Sequence, residues 1–235
     1  WERLFEGDVP PSVSQKSPGL GDDDQELLTF PSRASAGEVS MALQQEAGTG
    51  TTFQVERSYI VAQMSTGLLI VDQQLAHERI LYERYLKELQ TTQGASQQCL
   101  FPTVLTLNPA DFALVMDMLP ELVSLGFLVD EFGKDTVVIR GVPAETQVKN
   151  EKELFEGLIE QYKNFKNELS LDKKENLARS LAKRSCLKKG QKLDAQEMET
   201  LVGQLFACPN PNYSPSGNKT FVKLDLTSIH AFFAK

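Results

Sequence analysis

No run of apolar residues in this sequence approaches the roughly 18 that a membrane span requires. No basic stretch followed by an apolar one opens the given sequence, so no secretory signal is expected. Basic residues are in deficit: 24 Lys and Arg stand against 32 Asp and Glu, for a net charge of -8. A dominant electrostatic grip on nucleic acid is therefore excluded, and any such contact has to come from a local patch or from protein outside this chain. Cysteine is sparse as well. Cys99, Cys186 and Cys208 are odd in number and show no CxxC spacing, so they read as reduced thiols of a cytoplasmic protein rather than a disulfide framework. No internal repeat is visible. The first residue is Trp1, not Met, so a preceding portion of protein is expected.

What is present is ordinary for a globular protein: 235 residues, 41% hydrophobic and 24% charged, room for one large domain or two small ones with a linker. Residues 1–50 read as linker, rich in Gly, Pro, Ser and Asp between Gly7 and Gly37, with the acidic cluster Asp22-Asp23-Asp24. Two apolar islands, Trp1 to Phe5 and Leu27 to Phe30, are either docking points or local stickiness in a tether. From there the pattern becomes regular. Strands are expected over Thr52 to Glu56, Tyr59 to Met64 and Leu68 to Asp72, followed by a helix from about Ala76 to Leu89 whose apolar positions Ile80, Leu81, Tyr85 and Leu89 recur at helical spacing. A break at residues 94–97 precedes a strand over Thr103 to Leu107. The next helix starts behind Asn108-Pro109 and stops at Gly126. A hairpin over Phe127 to Phe132 and Thr136 to Arg140 follows. Helices are expected over Glu151 to Tyr162, Asp172 to Leu187 and Ala195 to Leu205. A Pro-rich loop (Cys208 to Gly217), a strand (Thr220 to Leu224) and a helix from Ser228 end the chain. The fold class is α+β in two lobes.

The run from Asp72 to Glu83, DQQLAHERILYE, is the most informative stretch. An acid ending a strand, with Glu78 and Glu83 on the next helix, places three carboxylates near one junction, a chemistry that suits a divalent cation. Against this, residues five apart on a helix face about 140° from each other, and solvated glutamates are common there. His77 reads as a surface or interface histidine, Cys186 as a small buried apolar residue, and His230 has no identifiable partner.

The run resembles the signature Asp-Gln-His-Ala-x-x-Glu-x-x-x-x-Glu of the C-terminal regions of MutL-type DNA mismatch repair proteins. Asp72, Gln73, Glu78 and Glu83 match it; Gln74 stands where the signature has His, and Leu75 where it has Ala. The stretch Val138 to Ala144 is similar to a strand-and-loop segment of that family. Ala182-Lys183-Arg184 sits where nuclease members carry Ala-Cys-Arg, and Cys208-Pro209-Asn210 where they carry Cys-Pro-His. The resemblance covers residues 50–235. It implies a metal centre for zinc or manganese that activates water beside a scissile phosphate. Here Gln74, Lys183 and Asn210 replace three of its ligands, and an ammonium repels a cation. Asp72, Glu78, Glu83 and Cys208 remain, enough at most to hold manganese or magnesium weakly through oxygen. Alternatively Lys183 pairs with Asp72 or Glu78 and replaces the metal's charge.

Gln97-Gln98-Cys99-Leu100-Phe101-Pro102 fits the pattern Gln-x-x-Leu-x-Pro and resembles the peptides by which bacterial proteins dock on a replication sliding clamp, with Gln97, Leu100 and Pro102 as the fixed positions. The other reading is a connector whose Leu100 and Phe101 pack into the neighbouring lobe.

From the resemblance, a homodimerisation lobe is expected over residues 51–98 and 183–235, with Leu68, Ile70, Val222 and Leu224 at the two-fold interface. Residues 99–182 are expected as an inserted external α/β lobe. The expected function is homodimerisation in mismatch repair without efficient nuclease activity. The alternatives are a metal-dependent nicking endonuclease with an altered ligand set and an unrelated adaptor domain. The resemblance further implies an ATP-binding N-terminal half outside this chain. It also implies contact with a MutS-type mismatch sensor and a sliding clamp, DNA contact that is weak or indirect, and no membrane.

Overall fold

The computed structural model describes residues 52–91, 94–146, 150–168 and 172–234. The expected linker over residues 1–50 and its two apolar islands lie outside them. The described residues form an α+β fold with two antiparallel sheets.

The first sheet holds β1 (Phe53–Val55), β2 (Tyr59–Met64), β3 (Gly67–Asp72) and β7 (Phe221–Asp225), hydrogen-bonded in that order. Its alternation sorts the side chains by face. Ile60, Ala62, Leu69 and Val71 are buried, and register places Ile60 opposite Val71 and Ala62 opposite Leu69. Against them pack α5 (Ala195–Ala207), through Met198, Leu201, Val202 and Leu205, and the first half of α1 (Gln73–Thr91), through Ala76 and Ile80. The turn between β1 and β2 is unusual, because Glu56 and Arg57 both take positive φ, 49° and 48°, without being glycine.

The second sheet has the order β4 (Ser96–Thr106), β6 (Thr136–Pro143), β5 (Leu128–Glu131). Its core joins α2 (Pro109–Ser124), α3 (Glu151–Glu168) and α4 (Lys173–Ser185), with Phe127 meeting Phe155 edge-on at 5.7 Å between centroids. The second half of α1 enters this core through Leu81, Tyr82, Tyr85 and Leu89. One helix thus serves both cores. The lobe boundaries expected at 98/99 and 182/183 fall inside β4 and α4.

Helix α1 starts three residues before the expected Ala76. Asp72 explains this: its Oδ1 accepts from the N–H of Gln74 and of Leu75, each at 3.0 Å, and so caps the helix. Strand β4 also begins earlier than expected, at Ser96 instead of Thr103. The chain closes with α6 (Leu226–Phe233), none of whose residues is buried.

Candidate functional site

Helix α1 presents His77, Glu78, Arg79 and Glu83 toward α4 and the Pro-rich loop that leads to β7. Arg79 Nε donates to the Tyr213 carbonyl at 2.6 Å, and an Arg79 Nη donates to Glu83 at 2.9 Å. From α4, Arg179 donates to the Pro215 carbonyl and faces Glu175 at 3.6 Å. Glu78 is buried, contrary to a solvated glutamate, and accepts from Ser216 Oγ at 2.5 Å. Burial pushes its carboxyl upward, against the opposing pull of Ser216, Lys183, Arg179 and Arg79. The loop is thus held by two arginines and a carboxylate. Ser216, Arg79 and Arg179 were not among the residues expected here. Their only sequence signal was the Ser-Pro-Ser-Gly turn before β7.

The other expected site residues are dispersed. Asp72 is occupied as a helix cap, Glu83 lies in the ion pair with Arg79, and Cys208 ends α5. Burial and the Glu83 charge push the Cys208 thiol up to about 11, so it stays protonated near neutral pH. Lys183 makes no ion pair with Asp72 or Glu78 among the described residues. Its ammonium lies 5.0 Å from the Phe165 ring centre and acts on Glu78 only through space. Gln74 approaches Cys186 at 4.0 Å, and Cys186 is buried, as a small apolar residue would be. His77, expected at the surface or an interface, is instead buried within the chain, where its Nδ1 accepts the N–H of Leu187 at 3.0 Å. Burial, aided by Arg84 and Lys188, pushes it down to about 3, so it is neutral. His230 lies exposed on α6.

Two surfaces stand out elsewhere. In β4 the ladder to β6 is interrupted between Gln98 and Thr103, where Pro102 has no N–H to give. Leu100 and Phe101 are 88% and 78% exposed there, so they do not pack into the lobe. On the first sheet, the face turned away from the helices pairs Leu68 with Leu224 and Ile70 with Val222. Phe53, opposite Val61, and Val222 (56% exposed) continue it. Alongside lies α6, with Phe232 and Phe233 at 75% and 86% exposure.

A family model described as "MutL C terminal dimerisation domain" matches residues 52–193. The chain belongs to this family. Among its relatives, the DNA mismatch repair protein MutL of Chlorobium phaeovibrioides is 34% identical over 95% of this chain and 39% of its own length. That of Prosthecochloris aestuarii is 33% identical over 99% and 40%, and that of Chlorobaculum parvum 36% identical over 78% and 29%. The chain thus spans two fifths or less of the length of these relatives.

The metal centre to which the MutL signature pointed does not fit the residues present. Glu78 is ringed by Lys183, Arg179 and Arg79, and Glu83 is taken by Arg79. Among the described residues no group of three or more His, Cys, Asp and Glu stands together where it could hold a metal ion. Nor, among them, is any helix long and apolar enough to cross a membrane.

Proposed function

We propose that this chain is the homodimerisation module of a MutL-type DNA mismatch repair protein and that it carries no efficient nuclease of its own. The observation that carries the reading is the apolar face of the first sheet. Leu68, Ile70, Val222 and Leu224 form adjoining cross-strand pairs on it, and α6 extends it with four large apolar side chains. Exposed apolar patches of this continuity mark association surfaces, and a self-complementary sheet face suits a two-fold contact. The lobe that bears it is assigned to residues 51–98 and 183–235, and the external lobe to residues 99–182. The bulged strand segment with Gln97, Leu100 and Pro102 is assigned to a sliding clamp, since its apolar side chains already stand clear of the protein.

In the whole protein, dimerisation would close a ring with an ATP-binding half that answers a MutS-type mismatch sensor in the cytoplasm. Asp72 at the end of β3 and Glu78 and Glu83 on α1 then serve structure, as a cap, a loop anchor and an ion-pair partner.

The test of the nuclease statement is incubation of metal-stripped protein with manganese and supercoiled DNA, with and without a clamp, beside an Asp72→Asn control. No nicking is expected in any series. Nicking that disappears in the variant would establish an endonuclease with a rebuilt ligand set.

A further inference from the structure

Residues 188–192, Lys-Lys-Gly-Gln-Lys, carry three cations and no acid in a chain whose net charge is -8. They connect α4 to α5 and are held with unusual firmness. The N–H of Gly190 donates to the Arg57 carbonyl at 2.9 Å, and the N–H of Lys188 to Gln191 Oε1 at 3.2 Å. The Gln191 carbonyl accepts from Gln54 Nε2 at 2.8 Å and from Gln73 Nε2 at 3.1 Å. Gln73, fully buried, also donates to the Arg57 carbonyl at 2.8 Å. This network ties the turn between β1 and β2 to the lysine-bearing loop and sets Arg57 beside it.

Arg57 occupies a left-handed conformation, φ 48°, where glycine is the unstrained choice. A strained side-chain-bearing residue persists where its surroundings hold it, and such positions gather at functional sites. Lys188 has a structural task, since its Nζ donates to the carbonyls of Lys183 (3.3 Å) and Arg184 (3.1 Å) at the end of α4. Arg57, Lys189 and Lys192 have none that is visible. All three are exposed, and among the described residues none of their side chains makes an ion pair or hydrogen bond. The flanking acids in sequence are Glu56, beside Arg57, and Asp194, which caps α5 and accepts from Glu197 N at 2.8 Å.

We propose that Arg57, Lys189 and Lys192 form a phosphate-contacting patch for the backbone of duplex DNA. A cluster of cations held by a fixed backbone network directs a polyanion to one place. None of residues 54–58 or 183–192 is aromatic, so the patch itself is one of cations alone. It reads charge and spacing, not sequence. The choice of DNA among polyanions rests on the mismatch-repair reading. In a dimer the patch would occur twice.

The test is fluorescence-anisotropy binding of a short labelled duplex to the full chain over a salt series. It compares wild type with the triple variant Arg57→Gln, Lys189→Gln, Lys192→Gln and with the control Lys152→Gln on α3. Each lost phosphate contact lowers the log-log salt slope by about 0.9, so the triple variant should lose about 2.7 per protomer and bind at least ~10-fold more weakly at low salt. The control should match wild type. An unchanged slope and affinity in the triple variant, or no duplex binding by wild type at low salt, would overturn the patch. Mass measured by light scattering on the same samples separates the two readings. A monomeric wild type would overturn the dimer while leaving the patch to its own result, and a dimer with an unchanged slope would do the reverse.

Discussion

Ser216 Oγ donates to Glu78 Oε1 at 2.5 Å, joining residues 138 apart in sequence and holding the Pro-rich loop on α1. The carboxylate that the signature offers to a metal is thereby engaged with a hydroxyl of the chain itself. Ser216→Ala leaves a buried carboxylate short of a donor and should cost about 1–3 kcal/mol. Urea unfolding measures this. A cost within error would mean that the loop is held by Arg79 and Arg179 alone.

His77 and Glu88 should give stability opposite slopes with pH. The folded His77 value, about 3, lies below its ordinary 6.5, so its contribution is present above pH 6.5 and fades as pH falls toward 3. Glu88 is raised from 4.5 to about 7 by burial first and then by Glu145, against Arg84. Its contribution is present below pH 4.5 and is lost as pH rises through 7. Thermal melts from pH 4.5 to 7.5 should show a shallower acid loss in His77→Gln and a steeper one in Glu88→Gln. Equal slopes in all three proteins would contradict this account.

Leu100→Ala should leave stability within about 0.5 kcal/mol of wild type, because the side chain is exposed. Binding to a purified sliding clamp, followed by surface plasmon resonance, should fall by ~10-fold or more, as expected when one apolar anchor is lost. A marked fall in melting temperature instead would identify Leu100 as a packing residue.

Gly67 sits where β3 meets β7, and a Cβ there would stand 2.1 Å from the Leu224 carbonyl oxygen. Gly67→Ala should push β7 away and destabilise the protein by about 1–3 kcal/mol. It should also weaken the dimer, since Leu224 and Val222 ride on β7. Unfolding and sedimentation on the same variant check both effects. An unaltered dimer would place the contact away from β7.

Much of the fold was legible because it is local. Asn108 does cap α2, its Oδ1 accepting from Asp111 N at 2.8 Å, and Gly126 does leave that helix with φ 93°. The strands of the first sheet followed from alternation and turn residues. The site was less legible. Asp72 is the cap that starts α1, a role that its place at the end of an apolar run also suggested to a metal reading. Ser216 could not be matched to Glu78, because only the tertiary fold brings the loop before β7 onto α1. His77 read as a surface or interface residue because its partner, the Leu187 N–H, lies 110 residues on. Backbone donors supplied by distant segments carry no sequence mark.

The most direct test of the account is the molar mass of the protein in solution at micromolar concentration, by sedimentation equilibrium, for wild type and for Val222→Asp. The account predicts twice the chain mass of 26.2 kDa for wild type and a single chain mass for the variant, with its fold intact by circular dichroism. A wild-type mass of 26.2 kDa would contradict the dimerisation role. A variant that remains dimeric would move the interface off this sheet face.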